Sequence, residues 1–117
     1  MLLVDDEETV RRVGTSMLDR LGCQVETAPD GHAAVEIFAE NPSRFDCVIL
    51  DLTMPRMGGE ECLERLREIR DDVVVVLTSG YSEQELANRV AGRGMAGFLQ
   101  KPYLYEVFTA TLMKACG

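Results

Sequence analysis

The most constraining feature of the sequence is a run of four apolar residues, 47–50, that leads directly into Asp51, with Pro55 four residues further on. A continuous apolar run of this length, followed by a turn signal, is typical of a β-strand that is buried on both faces. Such strands belong to parallel sheets, and open parallel sheets bind their ligands at the carboxyl ends of the strands. Asp51 is therefore predicted at the edge of the sheet where a binding site lies.

A second acidic segment follows another short apolar strand. Residues 2–4 are apolar, Asp5 and Asp6 come next, and two glutamates follow them. Because both predicted strands end in acidic residues, we expect Asp5, Asp6 and Asp51 to converge on one site at the same edge of the sheet. The two glutamates precede a predicted helix, whose dipole stabilises negative charge, and we expect no chemical role for them.

Strand patterns and helix patterns alternate along the chain. Such alternation implies an α/β fold in which a five-stranded parallel sheet has right-handed crossovers and helices on both faces. We expect residues 1–117 to form one domain, since a chain of 117 residues buries enough surface for one core. Strands are predicted at residues 2–4, 25–28, 45–50, 73–77 and 97–99. Helices are predicted at residues 9–21, around Ala34 and Phe38 up to the break at 41–43, along Cys62, Leu66 and Ile69 to about residue 70, from residue 82 to Gly92 or Gly94, and along Leu104, Phe108 and Leu112.

Two of these helices carry further expectations. Val10, Val13, Met17 and Leu21 recur at three- and four-residue steps, so residues 9–21 are predicted to form an amphipathic helix. The fourth helix, which a capping-box pattern at residues 82–85 opens, contains few large apolar residues. We expect it to be the least firmly held helix, because it has little apolar surface to bury.

Composition excludes several classes of partner. The net charge of −8 argues against direct binding to nucleic acid, which requires surfaces rich in lysine and arginine. The longest wholly apolar run, 73–77, is far shorter than a membrane span, and residues 1–4 are too few for the apolar core of a signal peptide. A cytoplasmic location without membrane contact is therefore expected. The four cysteines lack a C-x-x-C spacing and are interpreted as small structural residues.

Several segments, taken in order, resemble the receiver domain of two-component response regulators over essentially the whole chain. They are the acidic pair within residues 3–7, the segment 51–59, Thr-Ser-Gly at 78–80, and Phe-Leu-Gln-Lys-Pro at 98–102. The resemblance implies a flavodoxin-like, doubly wound sheet with strand order 2-1-3-4-5. It also implies phosphorelay signal transduction, in which one aspartate accepts a phosphoryl group from a phosphohistidine.

The resemblance assigns a phosphoacceptor and a metal site. Asp51 would be the nucleophile and would become 4-aspartylphosphate. Mg²⁺ would be held by Asp6, Asp51 and the backbone carbonyl of Thr53, and Asp5 would act through a water molecule. Magnesium prefers oxygen ligands and keeps several waters, which suits this set.

Three more residues receive roles from the same resemblance. Ser79 would donate its hydroxyl to a phosphoryl oxygen, and Lys101 would be the cation that faces the phosphoryl group. Lys101 is one of only two lysines in a chain with ten arginines, and a cis bond to Pro102 would aim it into the site. Phe98 occupies the aromatic switch position, where tyrosine is common; phenylalanine lacks the hydroxyl. The switch would alter the surface of the fourth helix, fifth strand and fifth helix.

The implied partners are a sensor histidine kinase or a histidine phosphotransfer domain as donor, and a downstream effector protein or domain. The domain would assist its own phosphorylation and dephosphorylation and would not be an enzyme with a separate substrate. The chain resembles either a domain of a longer regulator or the receiver of a hybrid sensor kinase.

Three other interpretations stay open at this point. A haloacid-dehalogenase-type phosphohydrolase usually has a second aspartate two residues after its nucleophile, where this chain has Thr53. A flavodoxin-like flavin binder needs a phosphate cradle in its first loop, which here is acidic. A receiver that serves only as a docking module, without phosphorylation, would have the same fold.

Overall fold

A single parallel sheet organises the chain, and its strand order is β2-β1-β3-β4-β5, as predicted. The computed structural model describes residues 1–52, 58–80, 84, 97–101 and 104–116. All four neighbouring strand pairs are parallel, so every strand ends at the same edge of the sheet. The strands are β1 (Leu2–Val4), β2 (Glu26–Ala28), β3 (Val48–Asp51), β4 (Val75–Ser79) and β5 (Gly97–Gln100).

Helices cover both faces of the sheet and form two separate cores. One core joins the sheet to α2 and α3 and includes Phe38 and Leu66. The other joins the sheet to α1 and the last helix and includes Leu18 and Phe108. The helices are α1 (Glu8–Arg20), α2 (Gly31–Glu40), α3 (Gly59–Ile69) and the last helix (Tyr105–Cys116), with a 3₁₀ turn at Pro42–Arg44.

The predicted amphipathic first helix is present, but Val13 of its apolar stripe lies off the buried face. Met17 and Leu21 pack against the core, whereas Val13 is 46% exposed and Gly14 and Leu18 are buried. A β-carbon on Gly14 would lie 2.6 Å from Cδ2 of Leu3, so the helix approaches β1 more closely than a side chain there allows. A pattern of large apolar residues misses this contact, because the residue that makes it has no side chain.

The predicted boundaries of β3 and β4 lie too early in the chain. Asp51 is the last residue of β3 and pairs with Thr78, and Ser79, two residues beyond the predicted end of the strand, is the last residue of β4. The ladder of backbone hydrogen bonds therefore extends into the polar residues and buries both Thr78 and Ser79. Most of the predicted fourth helix lies outside the described residues. Gln84, which belongs to it and is described, is helical.

Among the described residues, every helix is too short or too polar to cross a bilayer. The expectation that the cysteines are structural agrees with the burial of Cys47 and Cys62, while Cys23 is half-buried. The Cys62 thiol packs in the core between the sheet and α3.

Cys62 is expected to react with N-ethylmaleimide at least about 10-fold more slowly than Cys23 in the native protein. Burial, followed by the nearby charges of Glu61 and Asp30, raises the pKa of the Cys62 thiol to about 12, so almost no thiolate forms near neutral pH. Peptide mass spectrometry after timed alkylation measures both rates, and unfolding in guanidinium should equalise them. Equal rates in the native protein would contradict the burial of Cys62.

Candidate functional site

The acidic residues predicted from the sequence meet at the carboxyl edge of the sheet. Val4 of β1 pairs with Leu50 of β3, so the residues that follow them, Asp5 and Asp51, lie side by side. One carboxylate oxygen from each of Asp5, Asp6 and Asp51 can be chosen so that all three lie within 4.8 Å of one another. Asp5 and Asp51 are buried and Asp6 is exposed. This arrangement offers a compact set of oxygen ligands with one side open to water.

Asp5 has a protein partner at each of its polar atoms. Its amide donates to the carbonyl of Ala28 at 3.1 Å, and its carbonyl accepts from Nη1 of Arg11 at 2.7 Å. Its Oδ1 accepts from the amide of Glu7 at 2.9 Å, and its Oδ2 pairs with Nζ of Lys101 at 2.6 Å. Asp5 is therefore fixed in position, and its carboxylate is already engaged by the protein.

Sequence reasoning missed the contact that Arg11 makes. Arg11 lies on the first part of α1, and its guanidinium reaches back to the carbonyl of Asp5. A charged donor makes this a stronger hydrogen bond than one between neutral groups. The available signal was its position six residues after Asp5 on the helix that the acidic segment leads into.

Lys101 bridges the two buried aspartates. Its Nζ lies 2.6 Å from Oδ2 of Asp5 and 3.3 Å from Oδ2 of Asp51, and its side chain is 18% exposed. Its backbone amide donates to the carbonyl of Ser79 at 2.7 Å, which continues the pairing of β4 with β5 beyond the strand ends. The side chain of Lys101 thus enters the site from the carboxyl end of β5.

The surroundings of Lys101 keep it charged. Burial alone would lower the pKa of the ammonium, but the hydrogen bond to Asp5 and the charge of Asp51 outweigh burial and raise the pKa above its ordinary value of 10.5. A raised pKa in the folded state means that this group's stabilisation is fully present below pH 10.5. It is lost as the pH rises through the raised value, so Lys101 carries its charge throughout the physiological range.

Ser79 and Phe98 lie on one face of the sheet. Ser79 is fully buried at the end of β4, and Leu77, two residues earlier, points to the same face. Phe98 of β5 pairs with Leu77 and packs, half-buried, against the core that α2 and α3 cover. Phe98 therefore lies on the same face as Ser79, two residues before Gln100, which is the partner of Ser79 in β5.

Some predicted residues cannot be located in this geometry. Thr53 and Pro102 lie outside the described residues, and so does most of the expected output surface. The described part of that surface includes Leu104, which is 69% exposed, and Tyr105, whose ring lies 4.2 Å below the guanidinium of Arg20.

Comparisons with known proteins converge on one family. The family model for the response regulator receiver domain matches residues 1–112. Sensor kinase CckA of Brucella abortus is 35% identical over 112 residues, which cover 96% of this chain and 12% of CckA. Response regulator MprA of Mycobacterium sp. strain KMS is 39% identical over 115 residues, which cover 96% of this chain and 48% of MprA. The chain thus spans about half or less of the length of these relatives.

Solved structures give the same result. One chain of the CheX–CheY–BeF3–Mg²⁺ complex from Borrelia burgdorferi superimposes with a TM-score of 0.90 and 28% sequence identity, over 96% of this chain and 84% of that one.

Proposed function

The chain belongs to the response regulator receiver domain family, and on that premise we propose that Asp51 accepts a phosphoryl group from a phosphohistidine donor. The observation that carries the proposal is the meeting of three carboxylates from two separate segments with the ammonium of Lys101. Clustered carboxylates repel one another and cost free energy to bury. A cluster of this kind is typical of a site that uses the negative charge for chemistry.

The donor set suits Mg²⁺. Asp6 and Asp51 would hold the ion, together with the backbone carbonyl of Thr53, and Asp5 would act through a water molecule. Both carboxylate oxygens of Asp5 already have protein partners, which favours the indirect role. Asp6 is exposed, so an ion that retains several waters fits beside it. When bound, Mg²⁺ offsets the negative charges of the attacking carboxylate and the phosphoryl group.

Asp51, Lys101 and Ser79 each have one role in the transfer step. A carboxylate oxygen of Asp51 attacks phosphorus, the bond from phosphorus to the donor imidazole nitrogen breaks, and the imidazole leaves with that electron pair. Lys101, whose Nζ is 3.3 Å from Asp51, pairs with a phosphoryl oxygen of the product. Ser79 donates its hydroxyl to another phosphoryl oxygen. These contacts stabilise charge that the transfer brings into the site.

The phosphorylated state would be read out through Ser79 and Phe98. A new group of about −2 charge at Asp51 draws the Ser79 hydroxyl towards it. Phe98 lies on the same face of the sheet and is only half-buried, so its ring can turn into the space that Ser79 leaves. The result is a shift between two conformations, which changes the surface near Leu104 and Tyr105.

The proposal includes the partners that this cycle requires. A sensor histidine kinase or a histidine phosphotransfer domain supplies the phosphoryl group in the cytoplasm, and an effector protein or domain recognises the altered surface. The domain assists its own phosphorylation but has no separate substrate. A docking module that is never phosphorylated is the second candidate, and the bridging of two buried aspartates by Lys101 favours the phosphoacceptor.

Acetyl phosphate, a small phosphoryl donor, tests the proposal without a kinase. With Mg²⁺ present, the protein is expected to gain one phosphate that maps to the peptide containing Asp51 and that is lost in hydroxylamine, as an acyl phosphate is. With EDTA, uptake should fall by at least about 10-fold. Mass spectrometry of the intact protein measures uptake in both buffers, and mass spectrometry of its peptides locates the phosphate. A chain that remains unlabelled, or whose label resists hydroxylamine, would favour the docking module.

A further inference from the structure

We infer that Gly59 is a positioning residue for Asp51, because α3 can begin against the backbone of the phosphoacceptor only if its first residue has no side chain. The inference rests on the proposed function, since it concerns how that function's nucleophile is held in place. Gly59 is buried and is the first residue of α3.

The backbone contacts around Gly59 are unusually close. Its amide donates to the carbonyl of Leu52 at 2.9 Å, which closes the loop between β3 and α3. A β-carbon on Gly59 would lie 2.5 Å from Cα of Leu52 and 2.6 Å from the carbonyl oxygen of Asp51. Both neighbours are backbone atoms, so no side-chain rotation can relieve the overlap. Any other L-residue would push the end of β3 and the start of α3 apart.

The displacement would act directly on the site. An ordinary contact begins at 3.4 Å, so the separation between residue 59 and the backbone of Asp51 and Leu52 would have to grow by nearly 1 Å. Asp51 has to remain within reach of both Lys101 and the other two carboxylates. A misplacement of about 1 Å at a reacting group can cost about 10²-fold in rate.

The neighbouring glycine provides a matched control. A β-carbon on Gly58 would meet no atom of the described residues within 4 Å, and its φ of −67° is one that alanine adopts readily. Gly58→Ala therefore adds the same methyl group one residue away without a clash in the described part of the chain. A second control, Leu112→Ala, removes buried apolar surface from the last helix, away from the site, and lowers stability alone.

Labelling by acetyl phosphate is measured for each variant at a temperature well below its melting point. Gly59→Ala is expected to lose about 10- to 100-fold in labelling rate per folded molecule. Gly59→Ser, which has the same β-carbon, should lose as much, and Gly58→Ala and Leu112→Ala should label like the wild type. If Gly59→Ala is partly unfolded, the osmolyte trimethylamine N-oxide is added to favour the compact state in all samples.

A second readout does not depend on labelling. The rise in melting temperature on adding Mg²⁺ should shrink in Gly59→Ala and persist in Leu112→Ala. Labelling of Gly59→Ala at the wild-type rate, or an equal loss in Leu112→Ala, would overturn the inference. A wild-type chain that takes up no label contradicts the proposed function instead, and the Mg²⁺-dependent shift then still decides whether Gly59 positions Asp51.

Discussion

Asp51→Asn is expected to lower phosphate uptake from acetyl phosphate by at least about 10³-fold, because the substitution removes the nucleophile. An amide has nearly the shape of a carboxylate but carries no negative charge with which to attack phosphorus. Asp51 pairs by backbone with Thr78 in the buried sheet, so the substitution should leave β3 in place. The loss can therefore be assigned to chemistry.

Asp46→Asn is the matched control for this experiment. Asp46 is an exposed aspartate that precedes β3, five residues before Asp51. It undergoes the same chemical change without entering the site, and its variant should label at the wild-type rate. Mass spectrometry of the intact protein, with acetyl phosphate and Mg²⁺, compares the three chains. Uptake by Asp51→Asn at the rate of the Asp46 variant would exclude Asp51 as the acceptor.

The same Asp51→Asn substitution is expected to raise the melting temperature in EDTA by roughly 4–10 °C, equivalent to about 1–3 kcal/mol in the free energy of unfolding. The attraction of Asp51 to Lys101 at 3.3 Å and its repulsion from Asp5, within 4.8 Å, are each about 3–5 kcal/mol and oppose one another. The cost of burying the charge, with the side chain only 3% exposed, then decides the sign. Lys101 keeps its closer partner, Asp5.

Magnesium should reduce this difference, because bound ion stabilises the wild-type cluster more than the variant. Differential scanning calorimetry in EDTA and in excess Mg²⁺ measures both effects, with Asp46→Asn as the control for a lost surface charge. If wild type and Asp51→Asn melt together in both buffers, the three carboxylates do not form a strained metal site. A lower melting temperature for Asp51→Asn in EDTA would show that the pair with Lys101 outweighs the cost of burial.

The sequence predicts the sheet well, because its strands are buried on both faces. Apolar runs such as residues 47–50 are visible without any knowledge of their partners, and the acidic residues that follow them must meet where parallel strands end. The strand order itself came from the family resemblance. The sequence could therefore predict that Asp5 and Asp51 lie at the same edge of the sheet, but not the distance between them.

The parts that sequence reasoning missed involve contacts with backbone atoms. Arg11 binds a carbonyl, Gly14 lets α1 approach β1, and Gly59 lies against the end of β3. Patterns of apolar and polar side chains contain no information on such contacts, which depend on how closely two elements approach. The same reason explains why the apolar stripe of the first helix includes the exposed Val13 and omits the buried Gly14.

The hydrogen bond of 2.7 Å between the amide of Lys101 and the carbonyl of Ser79 has a consequence for how such a domain can evolve. In the proposed function these two residues hold the same phosphoryl group, and their main chains are tied together. A slip of β5 by one residue would uncouple both at once. Insertions and deletions within β5 should therefore be resisted, both among homologues and in any redesign of the lifetime of the phosphorylated form.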